Sequence, residues 1–289
     1  MKPKSYIPIY SIDAFKNEEH QLPFQIELFD ANRHFDVLYP HKHDFFEILY
    51  LTKGSGIHEI DFVEYEIKSN MMFFLSPGQV HNINTSSDVE GFIFLFTSDF
   101  YLFNKQNENR LLELPFFYNL SNETPPLCVN NQYEAQFMTT IFSEGIRAFN
   151  RNDEYRHETI EALLDLLLVT CERLYPIEQQ ESKKGKLLVK QFQQLIEQKY
   201  DQNMSVSNYA QLLNVTANHL TETVRKITGE KSIDLIKRRT LLEAQKLLTY
   251  TDLTITEIAY QLNFKDHSYF ARVFKRYFGT SPAEYKKKK

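Results

Sequence analysis

Four residues in the first third of the chain have the side chains and spacing to hold a ligand: His41, His43, Glu47 and His81. The first three share odd parity, so on one extended strand all would point to the same face. His81 follows a Pro77-Gly78 turn and opens the next strand-like piece. Imidazole with carboxylate suits Mn, Fe, Ni or Zn. The same groups also suit polar contacts to an organic molecule in the mouth of a barrel whose interior is rich in Phe and Tyr. The organic pocket is the preferred reading, with a sugar among the molecules that aromatic faces and a few polar groups would suit. No cofactor is expected. A metal on His41, His43, Glu47 and His81 is the lesser alternative, and with it a metal-dependent enzyme.

A second set of candidate residues lies on an internal repeat. Val206–Val215 overlays Ile255–Phe264. After one inserted residue, Leu220, Val224, Arg225, Lys226 and Gly229 overlay Phe270, Phe274, Lys275, Arg276 and Gly279. Each copy reads as helix, turn, helix. In the first, Val206, Ala210 and Leu213 face inward, Asn214-Val215 turns, Thr216 caps, and Leu220, Val224 and Ile227 form the inner stripe. In the second, Ile255, Ile258, Ala259 and Leu262 face inward, Asp266 caps, and Phe270, Phe274 and Tyr277 or Phe278 pack. This leaves Asn218, Thr221, Glu222 and Arg225 outside on one helix. His267, Ser268, Ala271, Arg272, Lys275 and Arg276 are outside on the other. An α-helix fits the major groove with its N-terminal side chains at base edges, which is what such a unit can do. Arg272 is the strongest base-reading candidate, because a guanidinium can take guanine O6 and N7 together. Lys275, Arg276 and Arg225 suit phosphate, which adds affinity and salt dependence rather than sequence choice. Between the copies, Ser232–Leu248 carries a helical stripe of Ile233, Ile236, Leu241, Ala244, Leu247 and Leu248. At 1.5 Å per residue it is a rod of about 25 Å, suited to holding two reading helices about one DNA turn, roughly 34 Å, apart.

The elements that must position these residues follow from charge and periodicity. Residues 183–289 carry 20 Lys+Arg against 10 Asp+Glu, whereas residues 1–182 carry 13 against 28. One half is built to meet a polyanion and the other is not. The two halves give domains at 1–178 and 186–289, with a boundary near the polar stretch Glu178–Lys186. Short strands are read at Phe24–Phe29, Phe45–Leu51, Ile57–Phe62, Val63–Ile67, Met71–Leu75 and Phe92–Phe96, parted by turn residues, so the first half is a sandwich or small barrel. Helical periodicity then takes over at Tyr133–Asn150 and Arg156–Tyr175. In the second of these, Ile160, Leu164, Leu167, Cys171 and Leu174 make a seam that either covers its own domain or contacts a second copy. Met1–Pro23 precedes the first strand and is read as an arm or lid. Lys286–Lys289 is read as a frayed basic tail. The two cysteines, Cys128 and Cys171, form no CxxC. This excludes a Cys-based zinc finger and fits a reducing cytosol. No apolar run is long enough to span a bilayer.

The pattern HxH-x3-E-x6-G, ending at Gly54, resembles the first motif of the cupin superfamily, and Pro77-Gly78-x-x-His81-x-x-Asn84 resembles the second with its PxG shortened to PG. In metal-binding cupins, three His and one Glu at matching positions hold a divalent metal. Residues 255–286, ITEIAYQLNFKDHSYFARVFKRYFGTSPAEYK, resemble the C-terminal signature of the AraC/XylS family of bacterial transcription regulators, IxxIAxxxGFxxxSYFxRxFKxxxGxxPxxYR. Asn263 stands where Gly is common and Lys286 where Arg is common. The resemblance covers about residues 186–286. It implies an α+β two-domain chain: an N-terminal cupin-like (jelly-roll) β-barrel followed by two helices, then an all-α double helix-turn-helix. It also implies that Asn218, Thr221, Glu222, Ser268 and Arg272 face bases. The expected protein is a cytoplasmic sequence-specific regulator, an activator by resemblance, answering to a small-molecule effector near His41, His43, Glu47 and His81. Its expected partners are double-stranded DNA, the effector, a second copy of the chain and RNA polymerase, with no membrane. The alternatives are the metal-dependent cupin enzyme and a ligand-independent regulator whose barrel only dimerises.

Overall fold

The structure, a computed structural model, describes residues 7–15, 22–31, 37, 39–118, 125–151, 153–175 and 183–287. The chain divides into two compact units, one of Ile9–Gln179 and one containing Gln180–Lys289. The first unit holds β1 (Ile9–Tyr10), β2 (Phe24–Asp30), β3 (Lys42–His43), β4 (Phe46–Lys53), β5 (Gly56–Ile60), β6 (Val63–Ile67), β7 (Met71–Leu75), β8 (His81–Thr85) and β9 (Glu90–Phe96). Two short helices follow, α1 (Ser98–Leu102) and α2 (Arg110–Glu113), then β10 (Leu127–Cys128), α3 (Gln132–Asn150) and α4 (Arg156–Leu174).

The strands form a five-stranded sheet in the order β10-β7-β4-β9-β2 and a three-stranded sheet in the order β6-β5-β8, with β1 and β3 paired in parallel. The cupin-like expectation therefore takes the form of two sheets with a shared apolar interior, not one continuous ladder around a barrel. β4 is the central strand of the larger sheet and is buried along both faces. This is why its sequence is a dense apolar run rather than an alternation. Phe46, Ile48 and Tyr50 join the core under α3 and α4. Leu49 and Leu51 point the other way, into a core shared with Ile60 and Ile67 of the small sheet. Glu47 has the parity of Leu49 and Leu51 and so belongs to the interior between the sheets.

Gly54, the last residue of the first motif, has φ +106, and a Cβ there would lie 2.8 Å from the Val89 backbone. Gly145 lets α3 approach β2, since a Cβ there would sit 2.5 Å from the Ile26 side chain. The strand read as Ile57–Phe62 ends earlier, at Ile60. Asp61 and Phe62 both take positive φ, at 48 and 69, and Ile60 pairs with Val63. Two left-handed residues in a two-residue hairpin loop match the twist of the flanking strands, and the apolar Phe62 hid that turn. In α4, Ile160, Leu164, Leu167 and Cys171 are buried in the unit's own core, with Leu174 packed against it. The seam covers its own domain, and Leu166 and Val169 remain exposed on the same helix. Of the Met1–Pro23 arm, residues 1–6 and 16–21 lie outside the described residues, and Ile9-Tyr10 is built into a sheet beside Lys42-His43.

The second unit holds α5 (Lys183–Lys199), a 3-10 turn at Tyr200–Gln202, α6 (Val206–Leu212), α7 (Ala217–Thr228), α8 (Ser232–Tyr250), α9 (Ile255–Gln261), α10 (His267–Phe278) and α11 (Pro282–Lys287). Lys183–Lys186, the end of the polar stretch read as the boundary, open α5. That helix was not legible beforehand, although it buries Val189, Phe192 and Ile196. Phe192 meets the buried Tyr209 ring edge-on at 5.3 Å. Arg239 of α8 is buried between Glu197 Oε1 at 2.7 Å and Glu243 Oε2 at 2.9 Å, with its guanidinium 4.0 Å over the Tyr200 ring. Paired on two sides and stacked, that charge is compensated as a buried charge must be. Ile233, expected on the inner stripe of α8, is 38% exposed, and Phe278 rather than Tyr277 packs inward. Lys286 lies within α11 and its amine donates to the Leu253 carbonyl. The tail reading therefore fails at Lys286 and Lys287, while Lys288 and Lys289 lie outside the described residues.

Candidate nucleic-acid interface and ligand site

The repeat is carried by shared helix ends. Ser205 and Thr254 each open a copy with a capping box, closed by Asn208 in the first and Glu257 in the second. Such a box satisfies orphan amides at both ends of the first turn. The turn between the helices bends at Asn214 and Asn263, at φ 54 and 57. Asparagine is one of the few side chains that enters the left-handed region routinely, so Asn263 does here what glycine does in the resembling pattern. The second helix of each copy is capped by Thr216, which accepts from the His219 amide at 3.1 Å, or by Asp266, which accepts from Ser268 at 2.9 Å and Tyr269 at 3.1 Å. Each ends on a glycine at φ 74, Gly229 and Gly279. A Cβ at either would meet nothing within 4 Å, so the glycine is present for its backbone angle.

These ends orient the outward faces. On α7, Leu220 and Val224 are fully buried, while Asn218, Thr221, Glu222 and Arg225 are exposed. On α10, Phe270 and Phe274 are fully buried, while His267, Ser268, Arg272, Lys275 and Arg276 are exposed. Ala271, expected outside, is half-buried. All eight residues expected to touch bases or phosphates are therefore solvent-facing, on two equivalent helices of one unit. Hydrogen bonds from backbone amides, that of Ser268 first and then Tyr269, hold the exposed Asp266 carboxyl below the usual range, so the cap is an anion at the positive end of the α10 dipole.

The histidine cluster has a different construction from the one its spacing suggests. His41, His43 and Glu47 do not share one strand: the chain bends at Asp44-Phe45 between β3 and β4, and His41 makes only an isolated bridge with His81. The two motifs are stitched together by His41 and His81, which exchange backbone hydrogen bonds of 3.1 and 2.9 Å, and by the Gly78 amide, which donates to the His43 carbonyl at 2.9 Å. All four side chains are buried. Ligand atoms of His43, Glu47 and His81 lie within 4.8 Å of one another, and His41 is not part of that group. Its Nδ1 instead donates back to the Tyr39 carbonyl at 3.0 Å.

One member was missed. His58 on β5 is fully buried, with Nε2 3.1 Å from His81 Nδ1. Burial, against the pull of Glu47, pushes its pKa down to about 4, and burial also holds His81 well below its ordinary value. Both rings are neutral at pH 7. The signal was obscured because Ile57 and Ile60 have opposite parities, so the strand offered two inward faces and the structure uses the one with His58.

Residues 23–168 match the AraC-like ligand binding domain, and residues 209–288 match a helix-turn-helix domain. The chain is 24% identical over 277 residues to the HTH-type transcriptional activator RhaS of Enterobacter sp. (strain 638), covering 96% of this chain and 95% of that one. It is 21% identical over 258 residues to the HTH-type transcriptional activator RhaR of Mannheimia succiniciproducens, covering 88% and 89%. Among solved structures, ToxT from Vibrio cholerae covers 92% of this chain and 98% of its own at 17% identity, with a TM-score of 0.41.

Proposed function

The chain belongs to the AraC family of DNA-binding transcription regulators, and from that premise we propose that it is an effector-responsive activator of the cytoplasm. The observation that carries the DNA-reading assignment is the pair of matched, capped helices whose cores are apolar and whose outer faces are polar and basic. In this reading Asn218, Thr221 and Glu222 of α7, with Ser268 and Arg272 of α10, meet base edges in two major-groove segments. Arg225, Lys275 and Arg276 meet phosphate. Glu222 suits a cytosine N4 donor and Arg272 a guanine.

The first unit carries the regulatory ligand, and the names of the RhaS and RhaR relatives support an activator. A second copy docks on the face of α4 that keeps Leu166 and Val169 exposed, and RNA polymerase is the downstream partner. Effector binding acts by favouring one arrangement of the chain over another, since a ligand with equal affinity for both shifts nothing. No catalysis is assigned to it.

The test is fluorescence anisotropy at fixed salt, comparing duplex from upstream of the chain's own gene with a scrambled duplex. Wild type prefers the upstream duplex, and Arg272→Ala weakens that preference by about 1–3 kcal/mol. Absence of binding to either duplex at low salt defeats the reading.

A further inference from the structure

We propose that Asn263 is a positioning residue for DNA reading. Its side-chain amide ties the turn of the second helix-turn-helix copy to the 3-10 turn that leads into the first, and so sets the angle between the two reading helices. The proposal rests on the two-segment reading above and adds what fixes the spacing of those segments.

The backbone alone does not call for asparagine here. At φ 57 a glycine would serve, as it does in the resembling pattern. Asn214, the counterpart in the first copy, has φ 54, and its amide has no partner among the described residues. The Asn263 amide differs. Its Nδ2 donates to the carbonyl of Asp201, 62 residues back along the chain.

Asp201 belongs to a strap between the copies. Only Asn203, Met204 and Ser205 separate Tyr200–Gln202 from α6. On the side of the first copy, the Tyr209 hydroxyl of α6 donates to the Lys199 carbonyl at 3.4 Å. On the other side, Tyr200 packs against the core of the second copy. The Tyr200 carbonyl also accepts from the Thr240 hydroxyl of α8 at 3.3 Å. The two copies are therefore joined twice, covalently through α8 and non-covalently through this strap.

Packing does not make the amide redundant. A cavity of about 240 Å³ is bordered by Tyr200, Asn203 and Met204 on one side and by Asn263, Phe264 and Lys265 on the other. Protein interiors are close-packed, so a gap of that size withholds the contacts that would otherwise fix the separation of the two segments. Between them the Asn263–Asp201 bond is a direct polar link. Its consequence is readable in DNA. One base pair inserted between the two segments turns the second by about 35°, and a unit whose reading helices are held at one angle loses that register.

The experiment uses the full chain and two variants. Asn263→Gly keeps the backbone angle, and Asn263→Asp keeps the shape but supplies no amide donor; circular dichroism confirms that both are folded. Spin labels on Gln211→Cys and Tyr260→Cys, exposed matched positions on α6 and α9, report the distance between the copies. A Cys128→Ser background removes the exposed native thiol. Each chain then selects duplexes from a random library, and affinity is compared between its best duplex and the same duplex with one base pair inserted between the two motifs. Wild type shows one narrow distance and one motif spacing. Both variants broaden the distance, and their preference for the uninserted duplex falls by about 2–10-fold, the worth of one hydrogen bond. An unchanged distance in both variants overturns the tie. A broadened distance with the wild-type spacing preference overturns its role in DNA reading. An effect confined to Asn263→Gly assigns it to backbone freedom and overturns the role of the amide. If wild type enriches no pair of motifs, the two-segment reading falls and takes the role in DNA with it, while the distance still decides the tie.

Discussion

The two helix-turn-helix copies, α6–α7 and α9–α10, differ in what they bury and what they show, and agree in where they start, turn and stop. Ser205 and Thr254, and Asn214 and Asn263, are 49 residues apart, whereas Thr216 and Asp266, and Gly229 and Gly279, are 50 apart. The added residue therefore falls inside the turn, where it displaces neither helix. The first copy packs aliphatic Leu220 and Val224 and leans on α5, and the second packs Phe270 and Phe274 against α8 and α11. The faces differ at one matched position, where α7 shows Glu222 and α10 shows Arg272, while both helices end on an exposed basic pair, Arg225-Lys226 and Lys275-Arg276. Backbone geometry is set by a few caps and left-handed residues, which leaves the rest of each helix free to diverge in core and in recognition.

The largest effect expected from this comparison is in the cores. Phe270→Ala should cost about 3–5 kcal/mol and Leu220→Ala about 2–5 kcal/mol in urea unfolding of the full chain. A loss below about 1 kcal/mol at Phe270 would mean that the aromatic cluster with Phe264 and Phe274 is not what holds the second copy. Next come the faces. Lys275→Ala should weaken binding to all duplexes alike and lower the salt slope by about one, whereas Arg272→Ala should act at one base position. If both act uniformly, α10 supplies charge without sequence choice, and the discrimination must come from α7.

These faces were legible in the sequence because a helix with one apolar stripe allows only one outward face, as the exposed Asn218, Thr221, Ser268 and Arg272 illustrate. The small sheet was less legible. In β5 the inward side chains are His58 and Ile60, and Ile57 points out, so parity alone could not choose the face. In the first motif, parity gave the right burial for His41, His43 and Glu47 for the wrong reason, since a bend at Asp44-Phe45 interrupts the strand. α5 was hidden because its first turn is Lys-rich and its buried residues, Val189, Phe192 and Ile196, complete a core whose other members are far along the chain.

A smaller effect tests whether the caps are shared parts. Thr216→Ala should cost about 0.5–2 kcal/mol, because the His219 amide loses its acceptor at the start of α7. Thermal unfolding of the full chain reads this. A cost near zero would show that tertiary packing alone fixes that end.

The smallest effect separates the copies by chemistry. In the first, both caps are neutral: the Ser205–Asn208 box and Thr216. In the second, both rest on carboxylates. The Thr254 hydroxyl and amide donate to Glu257, and the Ser268 and Tyr269 amides donate to Asp266. Those bonds hold both acids below their ordinary values of 4.5 and 3.8. Glu284, bonded to Ser281 at the start of α11, is pushed down to about 2. A carboxylate whose folded pKa is depressed contributes stability fully above its unfolded pKa and loses it as pH falls through the folded one. On acidification from pH 5 towards 2, the α9–α10 copy should therefore lose amide hydrogen-exchange protection ahead of α6–α7. Asp266→Asn with Glu257→Gln should remove the difference by making the second copy's caps neutral like the first's. Parallel loss in the two copies of the wild-type chain would mean that both sets of caps yield together with a common core, and that the difference in cap chemistry has no energetic consequence.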